Sequence, residues 1–473
     1  MITRIDHVHD GAACILGAPK ALWMISMLPG YDAHIRSVTA RWNEALELAG
    51  FDSAVIAAGS PRMYFQDDQT MNFRANPDFA QFVSTDACMD AALLLRRGER
   101  PRLFFLAPED YWHAPPVPPA WVTTAIDMEV FAEPESLRNA LARAVATSGK
   151  TVLMSEIADS NLGCSALNDS RVKAMVHYRR AIKTPFELHA LRQATASAVK
   201  GHIAARQCFA DGGSEFVINQ AYLQASTQVA GDLPYGNIIA LNEHAAVLHY
   251  PHFDRSLPAE RFSFLIDAGA RSCGYAADIT RTYAHAEGEV QREFADLISA
   301  FDKAQQQLAS KIGPGVDFLD LHVAAHQAVA QTLCAFDLVT ASADEVFARG
   351  ITRAFLPHGL GHLLGIQTHD VAGHQVTADG RICPPPAIYP SLRLTRTLEP
   401  GFVFTVEPGL YFIPLLLKTL RAGPDQGLVN WKQVDRFAPC GGIRIEDNVV
   451  VTDSGHENYT RAAFASAEST HHG

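Results

Sequence analysis

The chain has 473 residues with a formal net charge of -12 at pH 7, and 48% of it is hydrophobic and 19% charged, the balance of a soluble globular protein long enough, at ~150 residues per domain, for two or three domains. The acidic charge and the lack of a basic run exclude a nucleic-acid partner, and no run approaches the ~18 apolar residues of a membrane span. The opening MITRIDHVHDGAA has no signal-peptide pattern, and eight scattered cysteines without a C-x-x-C pair suggest reduced thiols, so a cytoplasmic location is expected.

Residues 1–165 read as a separate α/β unit. Apolar runs at 54–58, 103–106 and 151–154 have the length and composition of buried strands, and the stretches between them suit helices. Pro115, Pro116, Pro118 and Pro119 mark a loop. Asp67 and Asp68 stand together among Tyr64, Phe65 and Phe73, a pattern that also fits a solvated turn. A connector over 166–184 leads to Thr184-Pro185-Phe186-Glu187, where Thr184 can cap a helix, Pro185 suits its first position and Glu187 completes a capping box. Leu188, Leu191, Ala194, Ala198 and Val199 then give that helix a packing face. Pro234 and Gly236 place Tyr235 in a loop, and 241–250 carries His244 and His249.

In the stretch 262–283, Phe262, Phe264, Leu265 and Ile266 run into Asp267, and Gly269 and Gly274 mark a turn. On the returning arm Asp278, Thr280 and Thr282 share one face and Ile279 takes the other. The pattern predicts a hairpin with a carboxylate on each arm and a hydroxyl beside the second. Carboxylates in apolar surroundings are costly unless paired, protonated or bound to a metal, although this stretch alone also fits a turn aspartate and a surface ion pair.

Helical spacing follows over 294–308 and 318–333, the second helix capped by Asp317. His358 and His362 are four apart, as in a metal-binding helix, but Gly359, Gly361 and the missing glutamate argue instead for a glycine-rich loop that presents His358, His362 and His369. Glu407 ends the apolar run 402–406, and Arg444 and Glu446 share a strand face opposite Ile443 and Ile445. Residues 411–439 read as an irregular loop or lid, and 461–473 as a polar tail.

Asp267, Asp278, Glu407 and Glu446 thus stand on otherwise apolar strands, with a histidine loop between the two pairs. Four carboxylates and one neutral imidazole carry a charge that two divalent cations would cancel. Oxygen-rich ligation with one imidazole suits Mn²⁺, Co²⁺ or Zn²⁺. Such a centre activates water as a nucleophile for a carbonyl.

In combination, the runs PYGNIIALNEHAAVLHY, IDAGA, GYAADITRTY, HGLGHLLG, VEPGLYFIP and GGIRIEDN resemble the M24 metallopeptidases of the pita-bread fold, most closely the bacterial Xaa-Pro dipeptidases. The likeness spans 180–460 and, more weakly, the N-terminal unit. It implies an α/β (α+β) protein in which a creatinase-like domain over 1–165, serving dimerisation and covering the active site, precedes a catalytic domain over 185–460. It implies two metal ions, Mn²⁺ foremost, on Asp267, Asp278, His362, Glu407 and Glu446. Glu407 would also handle the proton, with His358 and His369 as further catalytic residues and Tyr235, His249 and Arg444 on the substrate side. The expected substrate is a dipeptide ending in proline, with Arg444 on its carboxylate and Asp68 of a homodimer partner on its amine. Organophosphorus triester hydrolysis is a possible side activity by the same resemblance. The alternatives are an Xaa-Pro aminopeptidase acting on longer peptides and a catalytically inactive peptide-binding module.

Overall fold

The computed structural model describes residues 30–470, Asp86 and Pro118 excepted. Residues 1–29 of the expected first unit, Pro118 of the proline cluster and 471–473 of the expected tail lie outside the described residues.

The first unit is a mixed sheet of β1 (Ser53–Ala57), β2 (Ala92–Arg96), β3 (Arg102–Leu106), β4 (Asp127–Phe131), β5 (Thr151–Met154) and β6 (Ala166–Leu167), in the order β4-β3-β2-β1-β5-β6. Alternation sends Ala54 and Ile56 to the face covered by α1 (Tyr31–Ala49) and Val55 to the face covered by α2 (Pro134–Ala146). Cover on both faces is why these strands read as unbroken apolar runs. The connector expected over 166–184 is not a free linker: β6 pairs with β5, and in α3 (Ser170–Arg180) the side chains of Val172 and Val176 join the core of the first unit. Two residues pairing at a sheet edge leave no periodicity to read in the sequence.

The second unit begins at α4 (Pro185–Ala210) with the full capping box: Glu187 N donates to Thr184 Oγ1 at 3.3 Å, and Thr184 N to Glu187 Oε2 at 2.7 Å. With α5 (Glu215–Ser226) it packs Phe209, Ile218 and Tyr222 against β7 (Ile238–Leu241) and β8 (Ser263–Asp267). The predicted hairpin forms, with a small ribbon of β9 (Arg271–Ser272) and β10 (Tyr275–Ala276) at its tip. Its returning arm is β11 (Thr280–Ala284), paired antiparallel with β8 so that Thr280 faces Asp267. Asp278 sits just before that arm rather than on it.

The second half of this unit packs α6 (Glu289–Ala309) and α7 (Phe318–Ala335) on further antiparallel strands. These are β12 (Val403–Val406), β13 (Gly409–Tyr411), β14 (Gly442–Arg444), β15 (Asp447–Thr452) and β16 (Gly455–Asn458). A β-bridge from Thr280 to Glu446 joins the two halves, and it places the carboxylates of each half beside those of the other.

Two expectations fail here. Residues 411–439 are no irregular lid, because α8 (Pro414–Ala422) and α9 (Trp431–Phe437) bury Leu417, Val434 and Phe437 in the main core; both helices are too short to show a clear period. The tail is not simply polar either: Ala463, Phe464 and Ala467 of α10 (Tyr459–Thr470) pack on Ala194 and Ala198 of α4. No helix among the described residues is long and apolar enough to cross a membrane, and the seven cysteines described are free thiols.

Candidate active site

The glycine-rich loop runs along β12 as an added strand. Leu364 N donates to Val403 O at 2.9 Å, Thr405 N to His362 O at 3.0 Å and Glu407 N to Leu360 O at 2.8 Å. A Cβ on Gly361 would collide with the carbonyl oxygen of Thr405, so only glycine lets the loop lie this close. The ladder fixes His362 opposite Thr405 and Glu407. The imidazole Nδ1 of His362 lies 3.0 Å from Leu363 O, which can only accept, so Nδ1 carries a proton and Nε2 is the atom turned to the carboxylates. Against the downward pull of burial, Asp278 and Glu407 hold this imidazole above its ordinary range. That Nε2 faces Asp278 Oδ2 at 3.4 Å and Glu407 Oε1 at 3.7 Å.

Asp278, His362 and Glu446, all buried, hold ligand atoms within 4.8 Å of one another. Asp267 stands alongside, and one hydroxyl spans the two aspartates: Tyr235 Oη is 2.8 Å from Asp267 Oδ1 and 2.5 Å from Asp278 Oδ1. On the opposite side Thr280 Oγ1 donates to Glu446 Oε2 at 2.7 Å. The hydroxyl expected beside Asp278 therefore serves Glu446, across the bridge between the halves. Burial drives the Glu407 carboxyl up to about 7, and burial with the crowding of Asp278, Glu407 and Asp267 drives Glu446 well up. Four carboxylates and one imidazole converging in one buried site, two of the carboxylates pushed towards protonation for want of a cation, form the donor set a divalent cation satisfies. Their hard oxygens with one nitrogen fit Mn²⁺, Co²⁺ or Zn²⁺.

A cavity of about 550 Å³ opens onto this cluster, and His249, Asp267, Asp278, His358, His362, His369, Glu407, Arg444 and Glu446 all line it. Tyr235 lies behind the aspartates. Asp68 is exposed on a hairpin tip of the first unit and does not reach the cavity of its own chain. His369 stands edge-on to His362, the ring centroids 4.3 Å apart at 87°. Burial, and then Arg444, hold His358 down at about 3, so it is a neutral imidazole, with Nε2 2.8 Å from Tyr411 Oη.

Arg444 is almost fully engaged. Its Nη2 donates to Asp267 Oδ2 at 2.7 Å, its Nη1 to Tyr411 Oη at 3.0 Å and its Nε to Thr280 Oγ1 at 3.1 Å. Sequence reasoning missed two site residues. Tyr411 was within reach, since Glu407, Gly409 and Tyr411 alternate onto one face. Arg393, an exposed guanidinium lining the cavity with no ion pair among the described residues, lies in a loop without any periodic signal.

Residues 189–453 match metallopeptidase family M24, and 29–178 match the Xaa-Pro dipeptidase N-terminal domain. Proteins named Xaa-Pro dipeptidase are similar along nearly the whole chain. That of Xanthomonas campestris pv. campestris (strain B100) is 44% identical over 436 residues, covering 92% of this chain and 98% of its own. That of Stenotrophomonas maltophilia (strain K279a) is 42% identical, covering 94% and 100%. Among solved structures, aminopeptidase P from E. coli with the inhibitor Pro-Leu superposes with a TM-score of 0.68 at 23% identity, over 92% of this chain and 99% of the other, a likeness that speaks for the fold. The chain belongs to metallopeptidase family M24 and is a metal-dependent hydrolase.

Proposed function

We propose that this enzyme is a cytoplasmic Xaa-Pro dipeptidase that uses two divalent ions, Mn²⁺ foremost with Co²⁺ or Zn²⁺ as alternatives. The observation that carries the reading is the buried cluster of Asp278, His362 and Glu446 in one cavity with Arg393, a cation with no ion pair among the described residues. The names of the similar proteins support it.

Asp267, Asp278, His362, Glu407 and Glu446 would hold the ions. When bound, these would polarise the scissile carbonyl and lower the pKa of water. Glu407, which sits beside His362 and His358, takes up the proton released by the attacking water and passes it to the leaving proline nitrogen. His369 at the rim stabilises the developing oxyanion. His358, a neutral imidazole whose Nδ1 donates to Gly359 O and whose Nε2 accepts from Tyr411 Oη, holds the wall beside Glu407, and His249 lines the substrate side. Tyr235 keeps Asp267 and Asp278 in register.

Arg444, already bonded to Asp267, Thr280 and Tyr411, keeps Asp267 in place and leaves recognition of the substrate carboxylate chiefly to Arg393, which is free to pair with it. At the other end Asp68 of a second copy in a homodimer would meet the substrate ammonium. The exposure of Met63, Tyr64 and Phe65 beside it, 66%, 50% and 91%, is consistent with a covering partner. Organophosphorus triester hydrolysis would be a side activity of the same site.

A dialysed sample assayed on Ala-Pro, Gly-Pro and Ala-Pro-Ala, with and without Mn²⁺, tests the reading. Metal-dependent cleavage of the dipeptides alone is expected. Comparable cleavage of Ala-Pro-Ala would favour the aminopeptidase alternative, and binding without turnover would favour the inactive module.

A further inference from the structure

Helix α7 carries two imidazoles four residues apart, His322 and His326, each 1% exposed. His326 Nδ1 lies 3.0 Å from Thr352 Oγ1. Neither ring nitrogen of His322 has a hydrogen-bond partner among the described residues. A buried polar group left unpaired opposes folding, and an aliphatic side chain would fill the same space without that cost.

What the two rings do share is Tyr389. His322 meets it edge-on, centroids 4.4 Å apart at 90°, and His326 stacks on it at 4.9 Å and 23°. The two imidazoles meet each other edge-on as well, at 4.8 Å and 88°. Edge-to-face contact sets the positive rim of one ring on the negative face of another, and it fixes orientation in a way that aliphatic packing does not.

Tyr389 opens the segment whose next residues, Pro390, Ser391, Leu392 and Arg393, form one wall of the active-site cavity. Leu392 N turns back onto Tyr389 O at 3.1 Å. The wall lies directly on the histidine loop, since a Cβ on Gly359 would come within 2.9 Å of Leu392 Cα. Further on, a Cβ on Gly373 would collide with Arg393 O, and Thr395 N donates to Gly373 O at 2.9 Å. Backbone contacts hold the middle and far end of the wall, and the aromatic cluster holds the near end.

We infer that His322, His326 and Tyr389 form a clamp that positions the 390–393 wall and, through it, the Arg393 guanidinium, so that discrimination for a free substrate carboxylate depends on an aromatic cluster that never touches the substrate. This rests on the role given to Arg393 above. The three are positioning residues.

The test compares Ala-Pro with its C-terminal amide on the Mn²⁺-loaded enzyme. Arg393→Ala should raise KM for Ala-Pro about tenfold while hardly changing the amide. Tyr389→Ala should reproduce that pattern with unaltered metal content, Tyr389→Phe should restore the wild-type ratio because the ring is kept, and Tyr389→Ala should add nothing in an Arg393→Ala background. His322→Leu should give the same shift in KM without lowering Tm, since it removes an unpaired buried polar group. If Arg393→Ala acts but Tyr389→Ala and His322→Leu leave the acid-to-amide ratio unchanged, or weaken both substrates alike, the clamp is wrong. If Arg393→Ala itself leaves the ratio unchanged, the carboxylate reading falls and the clamp with it. Should His322→Leu fail to fold, the Tyr389 pair decides.

Discussion

Arg444 and Asp267, 177 positions apart in the chain, form a buried pair with Nη2 2.7 Å from Oδ2. The guanidinium thereby orients a candidate metal ligand, and it ties that ligand to Tyr411 and His358 on the far wall. Arg444→Ala should weaken metal binding and slow Ala-Pro and its amide alike, by roughly 2–5 kcal/mol in transition-state stabilisation, the scale of stripping one partner from a buried charge pair. A loss confined to the free-acid substrate would instead return Arg444 to the carboxylate.

Metal-free protein should lose stability as pH rises. Burial lifts the Glu407 carboxyl to about 7 in the fold, against ~4.3 for an unfolded glutamate. A raised folded value means that the native state binds more protons over that window. Its contribution is fully present below ~4.3 and is lost as pH climbs through about 7. Thermal melts of chelated enzyme should show Tm falling from about pH 5 to about pH 8, with the gain from added Mn²⁺ growing over the same window as the ion replaces the proton. An equal gain at both ends would contradict the carboxylate crowding.

The acid limb has a different origin. Asp447 is fully buried and accepts from Arg281 Nη2 at 2.6 Å, Gln305 Nε2 at 2.9 Å, Asn458 Nδ2 at 2.8 Å and Arg461 Nε at 2.8 Å. Against the upward push of burial, the two arginines and Asn458 hold its carboxyl down at about 2. This stability is present above the unfolded value near ~3.9 and disappears as pH falls through about 2. Asp447→Asn should lower unfolding stability by about 3–5 kcal/mol, because it leaves buried arginine charge uncompensated, and should flatten the acid limb of the urea midpoint against pH.

Gly361→Ala should push the histidine loop off β12, since the added carbon collides with the carbonyl oxygen of Thr405. His362 would then leave its place beside Asp278 and Glu407. We expect a fall in kcat/KM of at least about a hundredfold, or ~2.7 kcal/mol, with a lower metal content by atomic absorption and a near-normal far-UV CD spectrum. Retained metal content would show that the ladder is not what places the imidazole.

Much of this protein is local and was therefore open to one-dimensional reading. The capping box at Thr184, the cap at Asp317 and the apolar runs that became β1, β3 and β5 depend on residues within a turn or a strand of one another. The same holds for the carboxylates at Asp267 and Glu407, each of which closes a short apolar strand whose alternation is visible in the sequence. Elements too short for a period escaped: β6, α8 and α9 are set by what they pack against.

The sequence by itself singled out most of the candidate residues for the chemistry, because charged groups on apolar strands stand out wherever they fall. Only the tertiary structure decided what each of them faces. Thr280 turned out to serve Glu446 across the bridge, Tyr235 spans the two aspartates, and Arg444 is taken by Asp267 while Arg393 is left free. Those pairings follow from two half-sheets meeting at the Thr280–Glu446 bridge. Hydrogen-bond partners over such separations are chosen by the packing of whole layers, which no local pattern encodes.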